Sequence, residues 1–173
     1  QVSPSVIQLI YGHPNYDINV IGIDAAFLED NLGRNFCKRC YQVPQGVNED
    51  YFPSVKRIVE ENDVKLIFPG SDEECVSLAK HRDELNQVGC DVACSSYDVV
   101  SAVSDKYRLI MELKSVGIYN AEVFLPETVM DMKAMAEEMG YPDKDIAIKP
   151  RFGRGSKGFK IITHGYDKYA SFY

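Results

Sequence analysis

From its start to about residue 94, short β-branched runs alternate with stretches whose apolar residues recur at helical spacing. Ser3 as an N-cap, Pro4 at the first helical position and Val6, Ile7, Leu9 and Ile10 predict a short helix. Ile18 to Asp24 then predicts a buried parallel strand, a β-branched run ending in an acid. A second strand is expected around Tyr41 to Val43, followed from about Glu49 by a helix that turns Tyr51, Phe52, Val55, Ile58 and Val59 to one side. Lys65 to Phe68 predicts another buried strand. Ser71 and Glu74 form a capping box for a helix carrying Cys75, Leu78, Ala79 and Leu85 inward, and a short strand follows at Asp91 to Cys94. Strands and helices alternating at these lengths argue for a parallel sheet covered on both faces, an α/β layer fold.

The pattern changes at Ser95. Two helical stretches run nearly end to end, broken near Ser104, and the second places Leu109, Ile110, Leu113 and Val116 on one face before Gly117 stops it. A strand is expected around Glu122 to Leu125. A helix with Val129, Met132, Met135, Ala136 and Met139 on its core face ends at Gly140, and two strands, Asp145 to Lys149 and Phe159 to Thr163, flank a loop. A domain boundary near residue 100 follows. His164 to Tyr173 carries four aromatics and little pattern.

The 173 residues, 45% of them hydrophobic, suffice to bury a core in one large domain or two small ones. A net charge of −7 would repel a phosphate backbone, which argues against nucleic acid as a partner and makes any anion site local. No apolar run reaches the roughly 20 residues of a membrane span, and no basic-then-apolar leader opens the sequence, so a cytoplasmic protein without a membrane partner is expected. The five cysteines are an odd number and read as free thiols. Cys37 and Cys40 form a C-x-x-C, but near a strand residues three apart should point to opposite faces, and no second pair follows to complete a metal site. His13, His81 and His164 have no metal or triad spacing and read as surface residues.

Against that acidic background stands KPRFGRGSKGFK, residues 149 to 160, with five positive charges and no acid. Gly153, Gly155 and Gly158 allow backbone amides to turn toward a ligand, Ser156 adds a hydroxyl, and Arg154 and Lys157 add charge, a combination suited to polyphosphate. An exposed hairpin, glycine-rich for its turn and basic for solubility, would read the same way. The spacing is not that of a P-loop. Lys149 should point to the face of Ala147, opposite Ile146 and Ile148, where it needs either an anion or a route to solvent. Lys106 falls in the first turn of a helix, where the dipole disfavours a cation; a phosphate on the free helix amides would resolve that, and neighbouring Asp105 is the simpler answer. Asp24, at a strand end, could meet a ribose in a dinucleotide site, although the G-x-G-x-x-G that should accompany it is not visible.

SDKYRLIMEL and IAIKPRFGRGSKGFKI, separated by a strand and a helix, resemble the ATP-grasp superfamily, most closely its carbamoyl-phosphate-synthase-like members. The resemblance implies a parallel-sheet, Rossmann-like pre-ATP-grasp domain over residues 1–103, lacking its first strand and glycine-rich turn. It implies an incomplete α+β N-terminal subdomain of the ATP-grasp fold over 104–173. It further implies that Lys106 and Lys149 contact ATP phosphates, that the loop Gly153, Arg154, Gly155, Ser156, Lys157 and Gly158 closes over the triphosphate, and that PGSDEE, with Asp72 and Glu73, lies on the substrate side. The Asp72–Glu74 acids are equally explained by helix capping. The activity implied is an ATP-dependent carboxylate–amine ligase working through an acyl phosphate, on small carboxylate and amine substrates; a non-catalytic nucleotide-binding or regulatory module is the alternative. Magnesium is implied with its ligands outside this chain, so the chain as given is expected to be inactive, and a homodimer is left open.

Overall fold

The computed structural model describes residues 4–163 except Asn31, Asn120 and Arg154. The Ser3 cap, Arg154, His164 and the aromatic tail from His164 to Tyr173 therefore lie outside the described residues. The chain divides into two compact units, 1–101 and 102–173.

In the first unit, α1 (Pro4–Tyr11) precedes β1 (Ile21–Asp24), and two 3-10 turns, Leu28–Asp30 and Leu32–Phe36, lead into β2 (Arg39–Gln42). Then come α2 (Tyr51–Asn62), β3 (Leu66–Ile67), α3 (Asp72–Lys80), α4 (Arg82–Gln87) and β4 (Asp91–Val92). The strands pair in parallel as expected, but as two short ladders, β1 with β2 and β3 with β4, rather than as one continuous sheet. Both ladders serve one core. α2 buries the predicted Tyr51, Phe52, Val55, Ile58 and Val59. Around them pack Val43, Ile67, Leu78, Leu85, Cys90 and Val92, with Ile21, Ile23 and Tyr41 half-buried against the cluster. Ile21 and Ile23 lie two apart and so share the core face of β1, which turns the intervening Gly22 the other way.

The single helix expected after Ser71 is two. α3 and α4 break at His81, whose ring stacks on Phe52 at 3.9 Å and whose Nδ1 lies 2.8 Å from Glu84 Oε1, so this histidine is a packing residue as well as a partly exposed one. The capping box is half realised. Ser71 Oγ accepts from the Glu74 amide at 3.3 Å, while the Glu74 carboxylate reaches one residue further out, to the Gly70 amide at 2.7 Å. Gly46 meets this same helix start: a Cβ there would lie 2.8 Å from Glu74 N and 3.0 Å from Glu73 C, both rigid backbone. Gly46→Ala is therefore expected to cost about 1–3 kcal/mol as an overpacking change, read as a lower denaturation midpoint with unchanged m-value; an unchanged midpoint would show that the 43–47 loop yields freely.

α5 (Tyr97–Ser104) contains the division between the units, and α6 (Lys106–Ser115) follows it directly. Gly117, at φ 75°, stops α6 as expected: its amide donates to Lys114 O, and that of Ile118 to Leu113 O, the paired bonds of a Schellman stop. Gly140 does the same after α7 (Val129–Glu138), donating to Glu137 O while Tyr141 donates to Ala136 O. The interior stripe assigned to α6 is not buried. Leu109, Ile110 and Leu113 are half-buried and Val116 is 67% exposed, because nothing among the described residues covers that face. Glu122 to Leu125 forms no strand, having no backbone neighbour to pair with among the described residues. Of the α7 stripe, Ala136 is buried and Met132 and Met139 pack beside it, whereas Val129 is exposed. The small core closes with Tyr141, Ile146 and Ile162 on the antiparallel pair β5 (Ile146–Ile148) and β6 (Lys160–Ile162).

Candidate functional site

The glycine-rich loop is the connection of the β5–β6 hairpin, and three of its glycines sit at backbone angles other residues avoid: φ 113° at Gly153, 63° at Gly155 and 77° at Gly158. Ser156 joins them at φ 57°, and its carbonyl accepts from the Phe159 amide at 3.1 Å to close the turn. Gly153 and Gly155 face open space. At Gly158 a Cβ would lie 2.6 Å from Pro150 Cγ, so this glycine lets the two ends of the loop touch. Gly155, Ser156, Lys157 and Gly158 are all exposed.

The first limb of the loop is held by the start of α6. Asp105 is the N-cap, its Oδ1 accepting from the amides of Tyr107 and Arg108 at 3.2 Å each. The same carboxylate takes both arms of Arg151, Nε to Oδ1 at 2.8 Å and the second nitrogen to Oδ2 at 2.6 Å. Asp105 is 7% exposed. Lys106 adds two bonds to the same limb, its amide donating to Arg151 O at 3.1 Å and its Nζ to Gly153 O at 2.6 Å. Residues 151 and 153 are thus gripped by two adjacent residues of a helix start.

This geometry corrects the reading of Lys106 as completing a phosphate site on free helix amides. Those amides are taken: Lys106 N by Arg151 O, Tyr107 N and Arg108 N by the Asp105 side chain, Leu109 N by Asp105 O. The dipole conflict is resolved by the aspartate cap, and Lys106 can act on an anion only through its ammonium. Lys149 is exposed with Ala147, opposite the buried Ile146, and no hydrogen-bond or ion-pair partner meets it among the described residues. The route to solvent is the one it takes. The structure therefore brings Lys106 to Gly153, sets Lys149, Ser156 and Lys157 on exposed positions of the same hairpin, and leaves Arg154 outside the described residues.

The pair that sequence reasoning missed is Asp105 with Arg151. The only available signal was an acid at an N-cap position, since the partner lies two helices and a strand further along the chain. Arg151's hydrogen bonds, opposed by burial and reinforced by the Arg108 and Tyr107 amides, hold the Asp105 carboxyl down at about 2 from an ordinary 3.8. A depressed carboxylate stabilises the fold fully above its unfolded value and loses that contribution as pH falls through the folded one. Asp105-dependent stability should thus be complete above about pH 4 and vanish towards pH 2. Asp105→Asn is expected to be less stable than the parent at neutral pH, with the two denaturation midpoints converging in acid; parallel curves down to pH 2 would mean the ion pair contributes nothing.

Asp72 and Glu73 belong to the first unit, in the first turn of α3, Asp72 exposed and Glu73 half-buried. Asp24 Oδ1 accepts from the Ala26 amide at 2.9 Å and so closes its own turn after β1. Beside it, at the carboxyl ends of β1 and β2, an open depression of about 430 Å³ is lined by Ala25, Gln42, Val43, Pro44 and Gln45. It contains no ionisable side chain. Among the described residues no three His, Cys, Asp or Glu side chains are placed to hold a metal ion, and no helix is long and apolar enough to cross a membrane.

Comparison with known proteins bears first on the N-terminal unit. Residues 12–93 match the family described as PylC-like, N-terminal domain. No curated protein matches the chain. Among solved structures, the biotin carboxylase domain of Hydrogenobacter thermophilus 2-oxoglutarate carboxylase, in complex with MgADP, ADP and bicarbonate, aligns with a TM-score of 0.62 at 19% identity, over 89% of this chain and 34% of its own. Rhizobium etli pyruvate carboxylase aligns at 0.63 and 22%, over 96% of this chain and 15% of its own. Staphylococcus aureus N5-carboxyaminoimidazole synthetase, complexed with ADP, aligns at 0.55 and 19%, over 89% and 36%. The chain spans about a third or less of each of these proteins.

Proposed function

Because the chain has the fold of the N-terminal portion of ATP-grasp enzymes, a parallel α/β unit followed by the start of the ATP-grasp fold, we propose that it belongs to an ATP-dependent carboxylate–amine ligase. The reading is supported by ATP-dependent carboxylases and ligases among the similar structures, two of them holding ADP. The observation that carries it is local: the Lys106 ammonium is directed at the first limb of a glycine-rich, basic loop, 2.6 Å from Gly153 O. In the proposed reaction a substrate carboxylate oxygen attacks the γ-phosphorus of ATP, ADP leaves, and an amine then displaces phosphate from the acyl phosphate. Lys106 and Lys149 supply positive charge where phosphoryl oxygens gain negative charge, and the amides from Gly153 to Gly158 supply donors with no side chain in the way. Asp105 and Arg151 touch no substrate in this scheme; they position the limb that carries Gly153. Asp72 and Glu73 are proposed for the amine side, where carboxylates favour a cationic substrate.

The described residues do not make a magnesium site, so no step is assigned to that ion on them. An ATP-consumption screen of the full-length protein against panels of amino acids, amines and small carboxylates tests the proposal. Phosphate release requiring both a carboxylate and an amine is the expected result. Saturable ATP binding without release under any pairing would replace the ligase with a nucleotide-binding module, and absence of ATP binding would reject both.

A further inference from the structure

The C-x-x-C of this chain was expected to split its thiols across two faces, and the structure places them together. β2 begins only at Arg39, so Cys37 lies in the turn before the strand and is not bound by its alternation, while Cys40 is paired in register with Gly22 on β1. A Cβ at Gly22 would lie 2.8 Å from Cys40 Sγ and 3.0 Å from Cys37 Sγ. The missing side chain at Gly22 is therefore the space that both sulfurs occupy, on the face of β1 opposite Ile21 and Ile23. Both cysteines are free and both are half-buried, within reach of a small solute.

We propose that Cys37 and Cys40 form a reversible two-electron thiol–disulfide site, oxidised by a small disulfide of the glutathione class. Cys40 is assigned the first attack. Burial and then the neighbouring Cys40 push the Cys37 thiol up to about 11, so Cys37 keeps its proton at neutral pH. The Cys40 thiolate attacks one sulfur of the oxidant, giving a mixed disulfide and releasing one thiolate. Cys37 then attacks the Cys40 sulfur, its proton passing to solvent, and releases the second. Two protein thiols are oxidised, one disulfide is reduced to two thiols, and no other reactant is needed. Closing so short a loop removes little entropy from the unfolded chain, which makes the product readily reduced and suits a reversible site rather than a structural staple.

The test incubates the full-length protein with oxidised glutathione, quenches in acid, alkylates the remaining thiols and maps the peptides by mass. The expected product is a peptide in which Cys37 and Cys40 are joined to each other, free of glutathione and recovered as two alkylated thiols after reduction. In Cys37→Ser the reaction should stop at a glutathione adduct on Cys40, because no resolving thiol remains. Stable glutathione adducts in the unsubstituted protein, or full alkylation of both cysteines after oxidation, would overturn the proposal. The glutathione ratio at half-conversion reports the potential directly, and Cys75, Cys90 and Cys94 are followed in the same map as internal controls.

Discussion

Replacing Lys106 by alanine in the full-length protein is expected to lower ATP affinity by about ten- to a hundredfold, the cost of one lost charge-assisted contact of roughly 1.5–3 kcal/mol, while leaving the fold intact. Its ammonium donates to a neutral carbonyl, Gly153 O. A phosphate oxygen is the stronger acceptor, so nucleotide gains more from Lys106 than the loop loses. The fold should be indifferent, because the Asp105 cap and the Arg151 fork do not involve the Lys106 side chain. Lys149 has no such protein bond to surrender among the described residues, and Lys149→Ala should weaken binding at least as much. Calorimetric titration of both variants, beside their thermal unfolding, makes the check. Parent-like affinity in both would remove the lysines from the site, and loss of affinity accompanied by a large fall in the unfolding midpoint would show a structural effect instead.

Truncating Leu78 to alanine is expected to cost about 2–5 kcal/mol, a large part of the 5–15 kcal/mol by which a folded domain is stable. Leu78 is fully buried, and the cluster around it draws on α2, α3, α4 and both parallel pairs, so a cavity there is walled by elements that cannot all move inward. Ile161 provides the contrast. It is 55% exposed on the hairpin face opposite Ile162, and Ile161→Ala should stay within about 0.5 kcal/mol. Denaturant titration of the two variants decides it; equal losses would mean that the exposed hairpin face is covered in the full-length protein, and a loss below about 1 kcal/mol at Leu78 would contradict a shared core.

What could be read from the sequence was whatever a local period or a local bond determines. The five inward residues of α2 follow from spacing alone, and the stops at Gly117 and Gly140 follow from the backbone angle that a helix end demands. Where the period was right and the conclusion wrong, the missing information was the neighbour. The apolar side of α6 was located correctly, but a period says which side is apolar and not whether anything covers it, and Val116 stands exposed. Glu122 to Leu125 has strand composition without a partner ladder. The C-x-x-C was misplaced because alternation applies only inside a strand and Cys37 lies before one. The Asp105–Arg151 fork joins residues from two motifs read separately, and no spacing rule connects them.

The three ladders also differ in how much chain must be in place before their first hydrogen bonds form. β5 and β6 are antiparallel and close over the loop between Ile148 and Lys160 alone, whereas β3 and β4 can pair only after α3 and α4 have crossed between them. Hairpins of that kind assemble in microseconds, and parallel pairing waits on the closure entropy of the whole crossover. Until the crossovers are made, Leu66 and Ile67 and the β-branched residues of β1 are unpaired apolar strand edges, open to other chains. Refolding from denaturant should accordingly show a fast phase from the hairpin unit and a slower one from the residues around Leu78, with losses to aggregation growing with protein concentration during the slower phase.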